Sequence, residues 1–186
     1  MIPKSISHKE WKALDKLSIQ GLSRAIESVS KDYVYDEETK RFHLEHVFAY
    51  ELYHKWRELL NQENPKNLRL NAELSKHYNE EEEYRFPDMV LHGGHNNYKH
   101  QIIVCEIKSS RHRITTKALK KDINSLEKCI NGLYYHCGVF IYLGYTKNMQ
   151  KMIGRLRPLL SDKSNKKIIF IGVNEVNGDI PHYELL

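Results

Sequence analysis

Phe86-Pro87-Asp88-Met89-Val90-Leu91-His92 and Gln101-Ile102-Ile103-Val104-Cys105-Glu106-Ile107-Lys108 are the two stretches whose reading decides the fold. Both have the composition of buried strands. Between them lies Gly93-Gly94-His95-Asn96-Asn97, rich in residues that tolerate positive φ, so the pair reads as an antiparallel hairpin. Glu106 and Lys108 are two apart in a strand and therefore leave the same face. With the turn centred near Asn96 or Asn97, Asp88 falls opposite residue 105 or 106. Two carboxylates and one amine then converge at one end of the hairpin.

The flanking sequence supplies helices for both sides of such a sheet. Arg41 to about Gln62 reads as a helix. At 100° per residue, Phe48, Ala49, Leu52, Trp56 and Leu59 all fall within about 60° of Glu45. Glu45 thus shares the inward apolar stripe, whereas Glu51 falls on the far side with Val47, His54 and Glu58. A carboxylate on an apolar stripe needs a reason, and an outward one does not. Leu68 to Ser75 alternates apolar and polar, the period of a half-buried strand. Thr115 or Thr116 can cap a helix whose Leu119, Ile123, Leu126 and Ile130 line one face, with Asn131-Gly132 as its stop. His136 to Tyr145 reads as a buried strand, Lys147 to Leu160 as a helix broken near Pro158, Lys167 to Val173 as a strand and His182 to Leu186 as an edge strand.

Upstream, Ser7-His8-Lys9-Glu10 has the form of a capping box opening a helix that runs to Ser30 and is bent or divided at Gly21. Asp32 to Lys40 is polar and turn-like. The order of elements is that of an α/β protein with a sheet covered by helices on both faces. A chain of 186 residues is one domain of ordinary size. Within it, 1–40 is expected to be an N-terminal helical extension, 41–145 the core, and 146–186 a C-terminal helix with strands.

Hydrophobic residues at 40% and charged residues at 28% are those of a globular chain, and no apolar run is long enough to span a membrane. The start Met1-Ile2-Pro3-Lys4-Ser5 lacks the apolar core of a signal peptide, so a cytoplasmic location and no membrane partner are expected. The net charge of +5 is compatible with a nucleic-acid partner without requiring one. Cys105, Cys129 and Cys137 lie in strand or helix segments with no C-x-x-C pair, which argues for reduced thiols and against a zinc or four-cysteine iron–sulfur site.

Two carboxylates with water oxygens suit a hard cation, Mg²⁺ or Mn²⁺. Such a cation lowers the pKa of bound water and offsets charge growing on a phosphoryl group. Lys108 would position the attacking water or stabilise that charge, and Glu45 would complete the site.

Pro87-Asp88, then seventeen residues, then Glu106-Ile107-Lys108, preceded by a helical glutamate at Glu45, resembles the PD-(D/E)xK nuclease superfamily over roughly residues 41–145. That resemblance implies a restriction-endonuclease-like mixed β-sheet flanked by helices, with the core order helix, strand, strand, strand, helix, strand. It implies a Mg²⁺-dependent (or Mn²⁺-dependent) nuclease with Asp88 and Glu106 as metal ligands, and with Lys108 and Glu45 as further catalytic residues. The substrate it implies is DNA ahead of RNA, in phage defence, restriction or repair. In relatives an acidic residue often ends the strand before the motif, a place that Glu73 would take. The helix after the motif commonly turns basic and amide residues toward the site, here Lys117, Lys120, Lys121 and Asn124.

Other residues admit two readings from sequence. Arg111 and Arg113 could touch phosphates beside the cleaved bond or be solvated surface. His92 shares strand parity with Asp88 and could line the cleft. Lys147, Lys151 and Arg155 form a basic stripe that reads first as a solvated helix face. No Walker loop, helicase motif or zinc finger is present in the sequence, so targeting is expected to come from a homodimer or a partner subunit. Two rivals stand against the nuclease reading. One is a non-catalytic nucleic-acid-binding or assembly subunit with the same fold; the other is an unrelated α/β interaction module.

Overall fold

The computed structural model describes residues 18–63, 68–72, 87–93, 101–161, 168–174 and 182–186. Among these, helix α1 (Ile19–Ser28) leads to a small hairpin, β1 (Tyr35–Asp36) and β2 (Arg41–Phe42). Helix α2 (Glu45–Glu63) follows, then strands β3 (Arg69–Ala72), β4 (Met89–His92) and β5 (Gln101–Ser109). Helix α3 (Thr116–Gly132), strand β6 (Cys137–Leu143), helix α4 (Met149–Leu156), strand β7 (Ile168–Val173) and strand β8 (His182–Leu185) complete the order.

The sheet has six strands in sequential order from β3 to β8. The pairs β3–β4, β4–β5 and β7–β8 are antiparallel, while β5–β6 and β6–β7 are parallel. The parallel pairs require crossovers, and α3 and α4 are those crossovers. Strand alternation divides the interior in two. Met89, Leu91, Cys105, Ile107, Val139 and Ile141 meet α1 and α2, including the fully buried Phe48, Leu52 and Trp56. Val90, Val104, Phe140, Tyr142 and Phe170 face Leu119, Ile123, Leu126 and the residues of α4. The chain is thus mixed α/β, a six-stranded mixed sheet with a helical layer on each face.

One local expectation is corrected. The helix expected from Arg41 begins at Glu45, because Arg41 and Phe42 pair with Asp36 and Tyr35. Phe42, 1% exposed, anchors that hairpin through edge-on contacts with Tyr35 and Tyr145. The Asp36 carboxylate accepts the Glu38 and Thr39 amides to close the turn, and Lys40 takes the left-handed φ of 54° that the reversal needs. Of the helix expected from Ser7 to Ser30, the described part runs from Ile19 to Ser28, with Gly21 buried in its first turn. Helix α3 ends at Gly132 as expected, and beyond it Tyr134 takes a left-handed φ of 62°. The 3₁₀ turn Arg157–Leu159 after α4 contains Pro158, which ends the helix as expected. The Ser7–Glu10 capping box, Glu73 and the turn residues His95 to Asn97 lie outside the described residues.

Candidate active site

β4 begins one residue after Asp88. Met89 lies opposite Cys105, so one more step along the same register sets Asp88 opposite Glu106. The Asp88 carboxylate accepts the backbone N–H of Ile107 at 2.6 Å, a charge-assisted bond that fixes it between Glu106 and Lys108. Glu106 is 6% exposed and shares strand parity with Val104, which places it on the α3 side of the sheet.

The Lys108 ammonium reaches both layers. Its Nζ lies 3.2 Å from Glu45 Oε2 on α2 and 3.4 Å from Asp122 Oδ2 on α3, and donates to the Ile107 carbonyl at 3.1 Å. Glu45, the first residue of α2, accepts the Ser109 N–H through its other oxygen at 3.2 Å. The Ser109 hydroxyl in turn donates to the His43 carbonyl at 2.6 Å, and Arg111 donates from Nη1 to the Phe42 carbonyl at 3.2 Å. The end of β5 is thereby stitched to the β2–α2 junction, which holds Glu45 against the strand.

Glu45 and Asp122 contact the Lys108 ammonium, and the charges of Asp88 and Glu106 act on it as well. Burial pushes the Asp88 carboxyl up to about 6, against the opposing pull of the Ile107 N–H and of Lys108. Burial, and then the charge of Asp88, push Glu106 well above the usual carboxylate range, with the Ser125 hydroxyl opposing. Burial favours neutral Lys108, but Asp122, Glu45, Asp88 and Glu106 outweigh it and the ammonium is held above its ordinary pKa. The cluster therefore carries more negative potential than its own lysine neutralises.

On the α2 side a cleft of about 180 Å³ opens onto Asp88 between Glu45, His46, Ala49, Tyr50 and Ala72. The rings of His46 and Tyr50 meet edge-on at 6.2 Å along its rim, and Tyr50 is 59% exposed.

Among the residues singled out from sequence, Asp88, Glu106, Lys108 and Glu45 come together. Glu51 does not join them; it pairs along its own helix with Lys55 at 3.5 Å. His92 is buried, bonds Asn71 at 3.0 Å and stands at the far end of β4, about 13 Å along the strand from Asp88. It does not line the cleft at Asp88. Lys117, Lys120, Lys121 and Asn124 are exposed, and lie about 100 to 160° round α3 from Leu119. The expectation that they turn toward the site is corrected: Asp122 and Ser125 do so instead. Asp122 could have been found by the rule that selected Glu45, since it lies within about 60° of Leu119 and Leu126 on the apolar stripe. Arg111 is tied to β2, and Arg113 is exposed.

The oxygen donors Asp88 and Glu106 suit a hard divalent cation, and the excess negative charge around them is what a cation would offset. Among the described residues no group of three His, Cys, Asp or Glu side chains stands ready as a metal cage, but magnesium is held by one or two carboxylates with waters and phosphate oxygens. No helix among the described residues is long and apolar enough to cross a membrane. Comparison of the chain with protein-family models, with curated proteins and with solved structures gives no match.

Proposed function

We propose that the Asp88–Glu106–Lys108 cluster is the active site of a divalent-cation-dependent phosphodiesterase that cuts nucleic acid, with DNA as the first substrate to test. The observation that carries this reading is the bond from the Ile107 N–H to Asp88. It ties Asp88 to the middle of Glu106-Ile107-Lys108, nineteen positions further on, which supports reading the two halves of the motif as one site. In this reading Asp88 and Glu106 hold Mg²⁺ or Mn²⁺, which when bound lowers the pKa of a water and offsets phosphoryl charge. Lys108 supplies an ammonium that orients the attacking water or hydrogen-bonds a phosphoryl oxygen. Glu45 and Asp122 position that ammonium from the two sides of the sheet. This arrangement supports the likeness to PD-(D/E)xK nucleases and their fold.

The test is cleavage of plasmid, single-stranded DNA and RNA with Mg²⁺ or with chelator. Asp88→Asn and Glu106→Gln are expected to lower metal-dependent cleavage by at least about 100-fold while remaining folded. Wild-type rates in both variants, on all three substrates, would end the reading.

One observation favours a second reading, a non-catalytic nucleic-acid-binding or assembly subunit. Lys108 is engaged by two carboxylates at once, as in a structural ion pair. Nucleic-acid affinity without cleavage, together with calorimetry showing no Mg²⁺ or Mn²⁺ uptake, would select it.

A further inference from the structure

A second cavity, of about 400 Å³, lies on the α3–α4 face and is lined by Arg113, Ile114, Thr115, Thr116, Lys151 and Arg155. Among the described residues that line it, three of six are cationic and none is acidic. The cations come from two elements, Arg113 from the β5–α3 loop and Lys151 and Arg155 from successive turns of α4. Arg155 Nη2 donates to the Ile114 carbonyl at 2.6 Å, which docks α4 on the loop and fixes the guanidinium in the wall. A guanidinium has five N–H donors, so that bond leaves others for a ligand. Among the described residues none of the three cations takes part in an ion pair with a carboxylate. Like charges gathered round one cavity repel, and an anion relieves that repulsion.

Position identifies the anion. The cavity lies beyond the carboxyl ends of the parallel strands β5 and β6, where open α/β sheets receive their ligands. Arg113 is five positions after Lys108, so their Cα atoms are at most about 18 Å apart. One strand of a duplex carries a phosphate every ~3.4 Å, so about five nucleotides cover that span. Among the described residues no aromatic side chain lines the cavity on which a base could stack, and Ile114 is the single aliphatic one. Phosphate contact without base contact fixes register and carries no sequence information.

We propose that Arg113, Lys151 and Arg155 form a phosphate-binding cavity that grips the backbone of a nucleic acid within about five nucleotides of the Asp88–Lys108 cluster. The identity of the polymer rests on the phosphodiesterase reading; the anion site itself rests on the cavity. It also gives the basic stripe on α4 a partner, with Lys151 and Arg155 acting together with a loop arginine.

The experiment is fluorescence anisotropy of labelled single- and double-stranded 30-mer DNA in chelator across a salt series, so that no cleavage is read. The Arg113→Gln/Lys151→Gln double variant keeps the Arg155 bond to Ile114 and so keeps the fold. It is expected to bind at least about tenfold more weakly at low salt, with a log–log salt slope shallower by about 2. Addition of Arg155→Gln is expected to weaken binding further. Unchanged affinity and slope in the double variant would overturn the proposal. So would inorganic phosphate or tripolyphosphate that shifts cavity resonances in wild type while DNA affinity ignores the substitutions, because the occupant would then be a small anion. Salt-sensitive DNA binding lost in the double variant, from a protein that never cleaves, would leave the cavity assignment standing and defeat the phosphodiesterase reading alone.

Discussion

Asp88 accepts the Ile107 N–H at 2.6 Å, and through that bond the residue before β4 is locked to the middle of Glu106-Ile107-Lys108. A backbone donor cannot swing away as a side chain can, so the Asp88 carboxylate keeps its place whether or not it is ionised. Its charge, however, is costly where it sits.

The first expected outcome is an inverted pH dependence of stability in chelator. Folding raises the Asp88 pKa from 3.8 to about 6, so the folded protein holds this proton more tightly than the unfolded chain. Stability is then greatest below pH 3.8, as far as this group decides it, and falls as pH rises to about 6. The fall from Asp88 alone is at most about 3 kcal/mol, and Glu106 adds to it in the same direction. Urea unfolding of Asp88→Asn should show a flatter profile and, at pH 7, a more stable protein than wild type. A wild-type curve that rises across this window, with no gain from the asparagine, would contradict the burial of the charge.

Removing the ammonium should cost more than removing one of its partners. Lys108→Met leaves Glu45 and the buried Asp122 facing each other's charge, and is expected to destabilise by about 2 to 3 kcal/mol at pH 7. Adding Asp122→Asn should return more than half of that loss in denaturant midpoints. Additive losses in the double variant would mean that Lys108 and Asp122 do not interact.

Glu45 is expected to act through position. Glu45→Gln retains an oxygen for the Ser109 N–H, whereas Glu45→Ala loses it together with the contact to Lys108. The half-exposed charge itself is worth under about 1 kcal/mol, so Glu45→Gln should be close to wild type in stability and Glu45→Ala lower by about 1 kcal/mol more. Cleavage, if the phosphodiesterase reading holds, should survive better in the glutamine variant at unchanged KM. Equal losses in both would assign Glu45 a role through its charge instead.

The second core tests the sheet. A Cβ at Gly138 would stand 3.1 Å from Ile130 Cδ1 and 3.3 Å from Ile168 Cγ1, so β6 passes close beneath α3 there. Gly138→Val is expected to destabilise by about 1 to 3 kcal/mol through overpacking. A neutral result in thermal unfolding would place α3 further from the sheet.

Much of this was legible in the sequence because periodicity reports burial. The strands at Met89–His92, Gln101–Ser109, Cys137–Leu143 and Ile168–Val173 stand where apolar runs announced them. Helix phase found Glu45 because an inward carboxylate breaks an apolar stripe. The same rule reaches Asp122, but an aspartate among lysines reads first as ordinary surface charge, and only the register of α3 on β5 shows that it meets Lys108. The β1–β2 hairpin was not legible, since its two-residue strands are too short for alternation to register. Nor could spacing show that Lys151 and Arg155 meet Arg113, because that contact depends on how α4 packs beside the β5–α3 loop.

The grip of Lys108 on both helical layers has a consequence for assembly. Glu45 arrives with the layer built on Phe48 and Trp56, and Asp122 with the layer built on Leu119 and Ile123. Neither half of the molecule contains the cluster alone. A chain in which one layer has docked and the other has not holds an unfinished ionic centre, so any activity that depends on the cluster is withheld until folding is complete.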